Sequence, residues 1–494
     1  MAQRPLATRD APDQWQLGAT ARRWGGNHTS RYNWELGNAW NTGKDWFFKN
    51  VGYSGAPRPA YQRFIEDDLA HGVATVLTVP TIGWVAKDTT SYGFPVSVFG
   101  PQRSAAPENA DAGNGVTPGG GLVRPGPPAR TSVPMPPVDI GRWVRAIHER
   151  DHARNRRSVQ AYILDNEPTL WSETHRDVHP EPVSYDELLE KTIAYATEIR
   201  RADPDALIQG PALWGFPAYF YSGVDKAAYP AHPDQDRHGG VPLLPWWLGE
   251  VAAEEKRTGG RLIDLVDVHF YPQGRGIGVG VSGETDADTA ARRIRSTRAL
   301  WDPAYEDESW IADKVRLVPR LQAWIAEKHP GLGISIGEYN FGAEEHMSGG
   351  LAVAEALGRF GEHGVMSAFY WDYPPTSSPA AWAFRAYRNF DGGGGSFLDE
   401  SVPAESRHPL ASIFASRDAK GDHMVVVLLN LDPAQPFLAR LDATSCGRVV
   451  SQRGFVYAAG SPGFAQVSSE PLSTEALLPP YSMTVLDLHV AAAP

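Results

Sequence analysis

The sequence predicts an α/β protein: a TIM-like (β/α) barrel followed by a small C-terminal β-sandwich. Three observations carry this. Short apolar runs without polar alternation recur at 74–80, 159–165, 206–213, 264–270, 333–338 and 365–371, the texture of parallel strands buried on both faces. Amphipathic helical segments lie between them, and an alternation sustained over about 360 residues favours a barrel over an open sheet. From about Ala383 the chain turns to short β-rich runs divided by Gly, Pro and Ser, as in an antiparallel sandwich. The predicted division is therefore 1–382 for the barrel and 383–494 for the sandwich.

Taken in order, ATARRW (19–24) is the first recognisable strand, so the runs give seven barrel strands where eight are needed. The eighth either hides within residues 1–18 or precedes them, and their polar composition favours a barrel lacking its first strand. A stretch rich in Pro, Gly, Ala and Asn at 98–137 reads as a long loop inserted above the barrel. Ser184 and Glu187 have capping-box spacing, with Leu188, Leu189, Ala196 and Ile199 along one helix face before Pro204. Two further helices, at 318–331 and 351–364, close on glycine just before the next strand. In the sandwich the clearest strands are 423–431, 448–457 and 482–490.

Composition narrows the partners. The 494 residues carry 46 Lys and Arg against 58 Asp and Glu, a formal charge of −12, and no basic stripe interleaves with aromatics. A nucleic-acid binder is not expected. No run of about 18 apolar residues is present, so no membrane partner is expected, and the first residues show no apolar signal-peptide core. Cys446 is the single cysteine, which excludes an internal disulfide or a cysteine metal cluster and suggests a buried spectator thiol.

In barrels of this kind chemistry collects at the C-terminal strand ends. The run ending YILD leads into Asn166 and Glu167, and GISIG leads into Glu338, so two glutamates 171 positions apart reach one rim. Two facing carboxylates are what glycosidic cleavage needs: one donates a proton to the leaving oxygen and the other attacks the anomeric carbon or activates water. Their separation sets the stereochemistry, about 5–5.5 Å for retention and about 6.5–9.5 Å for inversion. Asn166 is placed to hydrogen-bond a sugar 2-OH, Tyr271 to donate to Glu338, and His269 to join that network. Asn27 follows Gly25 and Gly26, which let backbone approach a ligand closely. Trp46, Trp84, Trp214 and Trp371 follow strand ends and are candidate platforms for pyranose rings, whereas Trp143 and Trp324 lie within helices and read as packing. The segment 108–115 offers Glu108, Asn109, Asp111 and Asn114 as hard oxygen donors, or simply an Asx-turn loop.

The segments RRWGGNHTSRYNW (22–34), YILDNEPTLW (162–171), IQGPALWGF (208–216), DVHFYP (267–272) and ISIGEYNFG (334–342) resemble glycoside hydrolase family 44. That resemblance implies a retaining endo-β-1,4-glucanase or xyloglucanase, with Glu167 as general acid/base and Glu338 as nucleophile. It also implies a structural calcium with no cofactor for catalysis, a plant-type β-glucan as partner, an extracellular location and a monomer. Two alternatives stand beside it: a retaining glycosidase for mannan, xylan or another β-linked polymer, since subsite loops set specificity, and a non-catalytic carbohydrate-binding protein.

Overall fold

The computed structural model describes residues 2–3, 14–53, 58–442, 446–467 and 475–491. Its parallel sheet has the strand order Ala2–Gln3 (β1), Ala21–Trp24 (β2), Ala74–Val79 (β3), Val159–Leu164 (β4), Leu207–Leu213 (β5), Leu265–Phe270 (β6), Gly333–Tyr339 (β7) and Ser367–Tyr370 (β8). This is the TIM-like arrangement, and the seven apolar runs are its β2 to β8. The expectation of a missing first strand is corrected, because Ala2 and Gln3 pair in parallel with Arg23 and Trp24. Two residues of pairing need no apolar run, so pattern windows of four or more residues pass over them.

Contacts divide the chain into two units: Met1–Arg9, Thr20–Phe270 and Leu321–Glu338 in the first, and Asp10–Ala19, Tyr271–Arg320 and Tyr339–Pro494 in the second. In the first, β3 to β6 are almost wholly buried, which explains their unbroken hydrophobicity. Helix Pro137–Arg154 packs on helix Tyr185–Ala202. The latter starts as its sequence requires: Ser184 accepts a hydrogen bond from the Glu187 backbone, and Leu188, Ala196 and Ile199 are buried. Strand β2 shows period-two logic with charged residues. Arg22 pairs with Asp68 of helix Ala60–His71 at 2.6 Å, while Arg23 points the opposite way and is fully buried.

The 98–137 segment is ordered. Ser132–Pro134 pairs with Trp84–Ala86, Ala105–Ala106 pairs with Asn109–Gly113, and the Arg176 guanidinium donates to the carbonyls of Asn114, Gly115 and Val123 at 3.0, 2.7 and 3.2 Å. An arginine thus satisfies backbone acceptors in a stretch too rich in Pro and Gly to form a longer ladder.

The second unit holds a six-stranded antiparallel sheet with central strands His423–Asn430 and Ser482–Ala491, and a two-stranded ribbon, Phe437–Arg440 with Glu475–Leu478. Met424, Val426 and Leu428 face a cluster with Leu478, Leu486 and Leu488. The alternate residues Val425, Val427 and Leu429 are equally buried, and helix Met347–Glu362 packs against this sheet. Cys446 is half-buried rather than buried. Among the described residues no helix is long and apolar enough to cross a membrane.

Candidate active site

Glu167, His269 and Glu338 converge at the C-terminal ends of β4, β6 and β7. One ligand-capable atom from each lies within 4.8 Å of the others. His269 stands between the carboxylates, with Nδ1 at 2.9 Å from Glu167 Oε1 and 3.5 Å from Glu338 Oε2. Its Nε2 is 3.4 Å from Arg23 Nη1. A guanidinium has no acceptor, so Nε2 carries the lone pair and Nδ1 the proton. Burial lowers the His269 pKa to about 4, with Glu338 opposing and Arg23 reinforcing the shift. The ring is therefore a neutral donor toward Glu167 near neutral pH.

Glu338 is 4% exposed. Arg23 Nη1 donates to its Oε1 at 2.9 Å and to the Gly337 carbonyl at 2.8 Å, while Nη2 donates to Asn166 Oδ1 at 2.8 Å. One buried arginine thus aligns the residues that close two strands, and its cation offsets a carboxylate too deep to be solvated. Sequence reasoning passed over Arg23. The available signal was an arginine inside a strand otherwise destined for burial, since such a charge requires a partner. Gly25 serves this arginine as well: a Cβ there would lie 2.6 Å from Arg23 Nε, so its smallness makes room for a side chain of the protein itself.

Glu167 has a left-handed backbone, φ 48°, as does Asp165 at 65°. Such strain needs surrounding support, and Asp165 supplies it. Its carboxylate accepts from Ser30 Oγ, the backbone N–H groups of Thr81, Ile82 and Asn166, and Trp171 Nε1, tying three strand-end loops together. The Glu167 side chain is 15% exposed, enough to meet a substrate. Burial raises its pKa to about 7, Arg23 opposing and Asp45 adding to the rise.

Beneath Glu338, burial pushes Asp267 up to about 7, against the pull of Arg23. A Cβ on Gly337 would stand 2.6 and 2.7 Å from the two Asp267 carboxylate oxygens. Gly337→Ala is expected to displace the strand carrying Glu338. Overpacking of this kind costs about 1–3 kcal/mol, to be read from the denaturation midpoint, with a fall in kcat larger than any change in KM.

The other predicted positions are distributed as follows. Asn166 is buried and donates from Nδ2 to Asn27 Oδ1 at 3.1 Å. Trp46 is 50% exposed on the turn Gly43–Trp46. Trp84 and Trp214 are half-buried, and the Lys226 ammonium stands 5.9 Å from the Trp214 ring centroid. Tyr271 and Trp371 belong to the second unit and are half-buried. There Asn340 Nδ2 donates to the Trp371 carbonyl at 3.0 Å and to Glu344 Oε1 at 3.2 Å. Trp310, which sequence reasoning did not single out because it follows no strand, is 62% exposed with Nε1 3.4 Å from Gln273 Oε1. Trp143 is buried and stacked on Trp34, as packing requires.

The possible metal donors are already engaged within the chain. Glu108 takes the Lys49 ammonium, Asp111 accepts from Tyr92 and Ser97, and the Asn109 and Asn114 oxygens accept from the Asp111 and Val116 N–H groups. The loop is closed by Asx-type hydrogen bonds and does not fit a calcium ion. At the Glu167, His269 and Glu338 cluster, the Arg23 cation on Glu338 opposes a second positive charge.

Residues 39–274 match the family model of glycoside hydrolase family 44. The chain is 31% identical over 447 residues to Endoglucanase A of Paenibacillus lautus, an alignment covering 85% of this chain and 60% of that protein. It therefore spans less than two thirds of that relative's length. Among solved structures it is similar to CelM2, a bifunctional glucanase-xylanase protein from a metagenome library, with 34% identity, a TM-score of 0.91 and coverage of 99% and 95% of the two chains. It is similar also to a Paenibacillus polymyxa xyloglucanase of glycoside hydrolase family 44 solved with xyloglucan, at 25% identity, a TM-score of 0.80 and coverage of 96% and 94%. Strand-end carboxylates, the β-sandwich and these matches lead to one assignment: the chain belongs to glycoside hydrolase family 44.

Proposed function

We propose that this chain is a retaining, endo-acting β-1,4-glucanase that also accepts xyloglucan, with Glu338 as nucleophile and Glu167 as general acid/base. The observation that carries this reading is the approach of one oxygen of each carboxylate to within 4.8 Å, so that both groups can reach one glycosidic linkage. Glu338 attacks the anomeric carbon while Glu167 gives its proton to the departing glycosidic oxygen, leaving a glycosyl ester of inverted configuration on Glu338. Glu167, now a carboxylate, takes a proton from water as that water attacks the same carbon and breaks the ester, restoring the original configuration. His269 donates to Glu167 Oε1, so the acidic proton resides on Oε2, and the second hydrogen on Asn166 Nδ2 serves the sugar 2-OH. Trp46, Trp84 and Trp214, of the same unit as the two glutamates, serve as platforms for further sugar rings. Residues 1–382 are assigned to catalysis and 383–494 to the accompanying sandwich, acting as a secreted monomer. The xyloglucanase relative supports the substituted substrate, and the glucanase-xylanase relative favours xylan as a second one.

The test is a reducing-sugar assay on carboxymethylcellulose, xyloglucan, xylan and mannan with wild type, Glu167→Gln and Glu338→Gln, alongside NMR of the first-formed anomer. Release of the α-anomer, or binding without turnover by the wild type, overturns the reading. The Glu167 pKa of about 7 sets the pH dependence: the acid form is full below that value, so kcat/KM should fall about tenfold per unit above it. Glu167→Gln should remove that basic limb on aryl glycosides whose leaving groups need no proton.

A further inference from the structure

Asn27 and Asn166 meet amide to amide, and the sense of every link is set by donor chemistry. Arg23 only donates, so Asn166 turns Oδ1 to it at 2.8 Å. Asn166 Nδ2 must then donate to Asn27 Oδ1, at 3.1 Å. That leaves Asn27 Nδ2 facing outward, 3.3 Å from Asp45 Oδ2 on the turn Gly43–Trp46. The chain begins at the guanidinium that holds Glu338 and ends on an exposed carboxylate next to Trp46.

We propose that Asp45 is a positioning residue for the reaction, anchoring the Asn27–Asn166 amide chain and holding a negative charge near Glu167. This rests on the assignment of Glu167 and Glu338 made above. The charge bears on Glu167, where Asp45 adds to the rise that burial causes and Arg23 opposes; His269 touches that carboxyl and Glu338 faces it within 4.8 Å. Around Asp45 the cations are engaged elsewhere. The Lys44 ammonium lies 4.0 Å from Glu173, which also takes Lys226, and Lys49 pairs with Glu108. With Asp45 as terminal acceptor, both amides keep one orientation and Asn166 keeps its second Nδ2 hydrogen for substrate.

An exposed charge acts through solvent and is screened by salt, whereas a hydrogen-bond anchor is not. The test therefore measures kcat/KM against pH on soluble xyloglucan for the wild type, Asp45→Asn and Asp45→Ala, at low ionic strength and in about 1 M NaCl. Asp45→Asn retains an acceptor and loses the charge. Its basic limb should move down by about half a unit, a threefold loss on that limb, with the acidic limb fixed. High salt should bring the wild-type limb to the position of the variant. Asp45→Ala should add a pH-independent fall in kcat that disappears in an Asn27→Ala background. For Asp45→Asn, an unmoved basic limb or a uniform loss at every pH overturns the proposal, as does an Asp45→Ala loss that persists unchanged in the Asn27→Ala background. Glu167→Gln and Glu338→Gln run in parallel: wild-type turnover by either would overturn the pair assignment, while inactivity of both confines the Asp45 results to Asp45.

Discussion

If Glu338 is the nucleophile proposed above, Glu338→Ala is expected to abolish hydrolysis of β-1,4-glucan, a loss on the order of 10⁴-fold or more, and azide is expected to restore turnover as a glycosyl azide of inverted configuration. Truncation to a methyl opens a space where the Glu338 carboxylate stood. It also leaves Arg23 Nη1, normally 2.9 Å from Glu338 Oε1, without its anionic partner, so a small anion is drawn to the vacated place. In its proposed role Glu167 should still protonate the leaving oxygen, with no ester formed, so that a single displacement inverts the carbon. An azide product of unchanged configuration would assign the nucleophile to another residue.

Arg23→Met should be nearly as severe, for a different reason. It removes donors from Glu338, the Gly337 carbonyl and Asn166 at once and takes the Arg23 cation from a buried carboxylate, a change that typically costs about 3–5 kcal/mol. We expect a marked fall in the denaturation midpoint together with a loss of kcat on the order of 10³-fold. Arg23→Lys keeps the charge but cannot span both partners, and should retain intermediate kcat. The double variant Arg23→Met/Glu338→Gln should recover stability relative to Arg23→Met while staying inactive, because the orphaned charge is gone. If Arg23→Met folds with wild-type stability and turnover, the arginine is dispensable and the account of the site is wrong.

Much of the barrel was legible in advance because strands buried on both faces need unbroken apolar runs, and β3 to β7 are buried almost throughout. The Ser184 cap was equally readable, being a contact between residues three apart. β1 was not, since its two residues are placed by pairing with Arg23 and Trp24 rather than by any pattern of their own. Arg22 and Arg23 look alike in the sequence, yet one pairs with Asp68 and the other with Glu338. Only the pleat, which sends neighbours to opposite faces, tells them apart. Gly25 and Gly26 suggested room for a ligand, whereas Gly25 makes room for Arg23.

Local order was written along the chain: periodicity, caps and the placement of Glu167 and Glu338 at strand ends depend on residues a few positions apart. The approach of those glutamates, the proton on His269 Nδ1, the buried Arg23 on Glu338 and the meeting of Asn27 with Asn166 depend on side chains that come together from more than a hundred positions away. Such meetings are set by how strands pack around a common interior, so only the tertiary structure decides them.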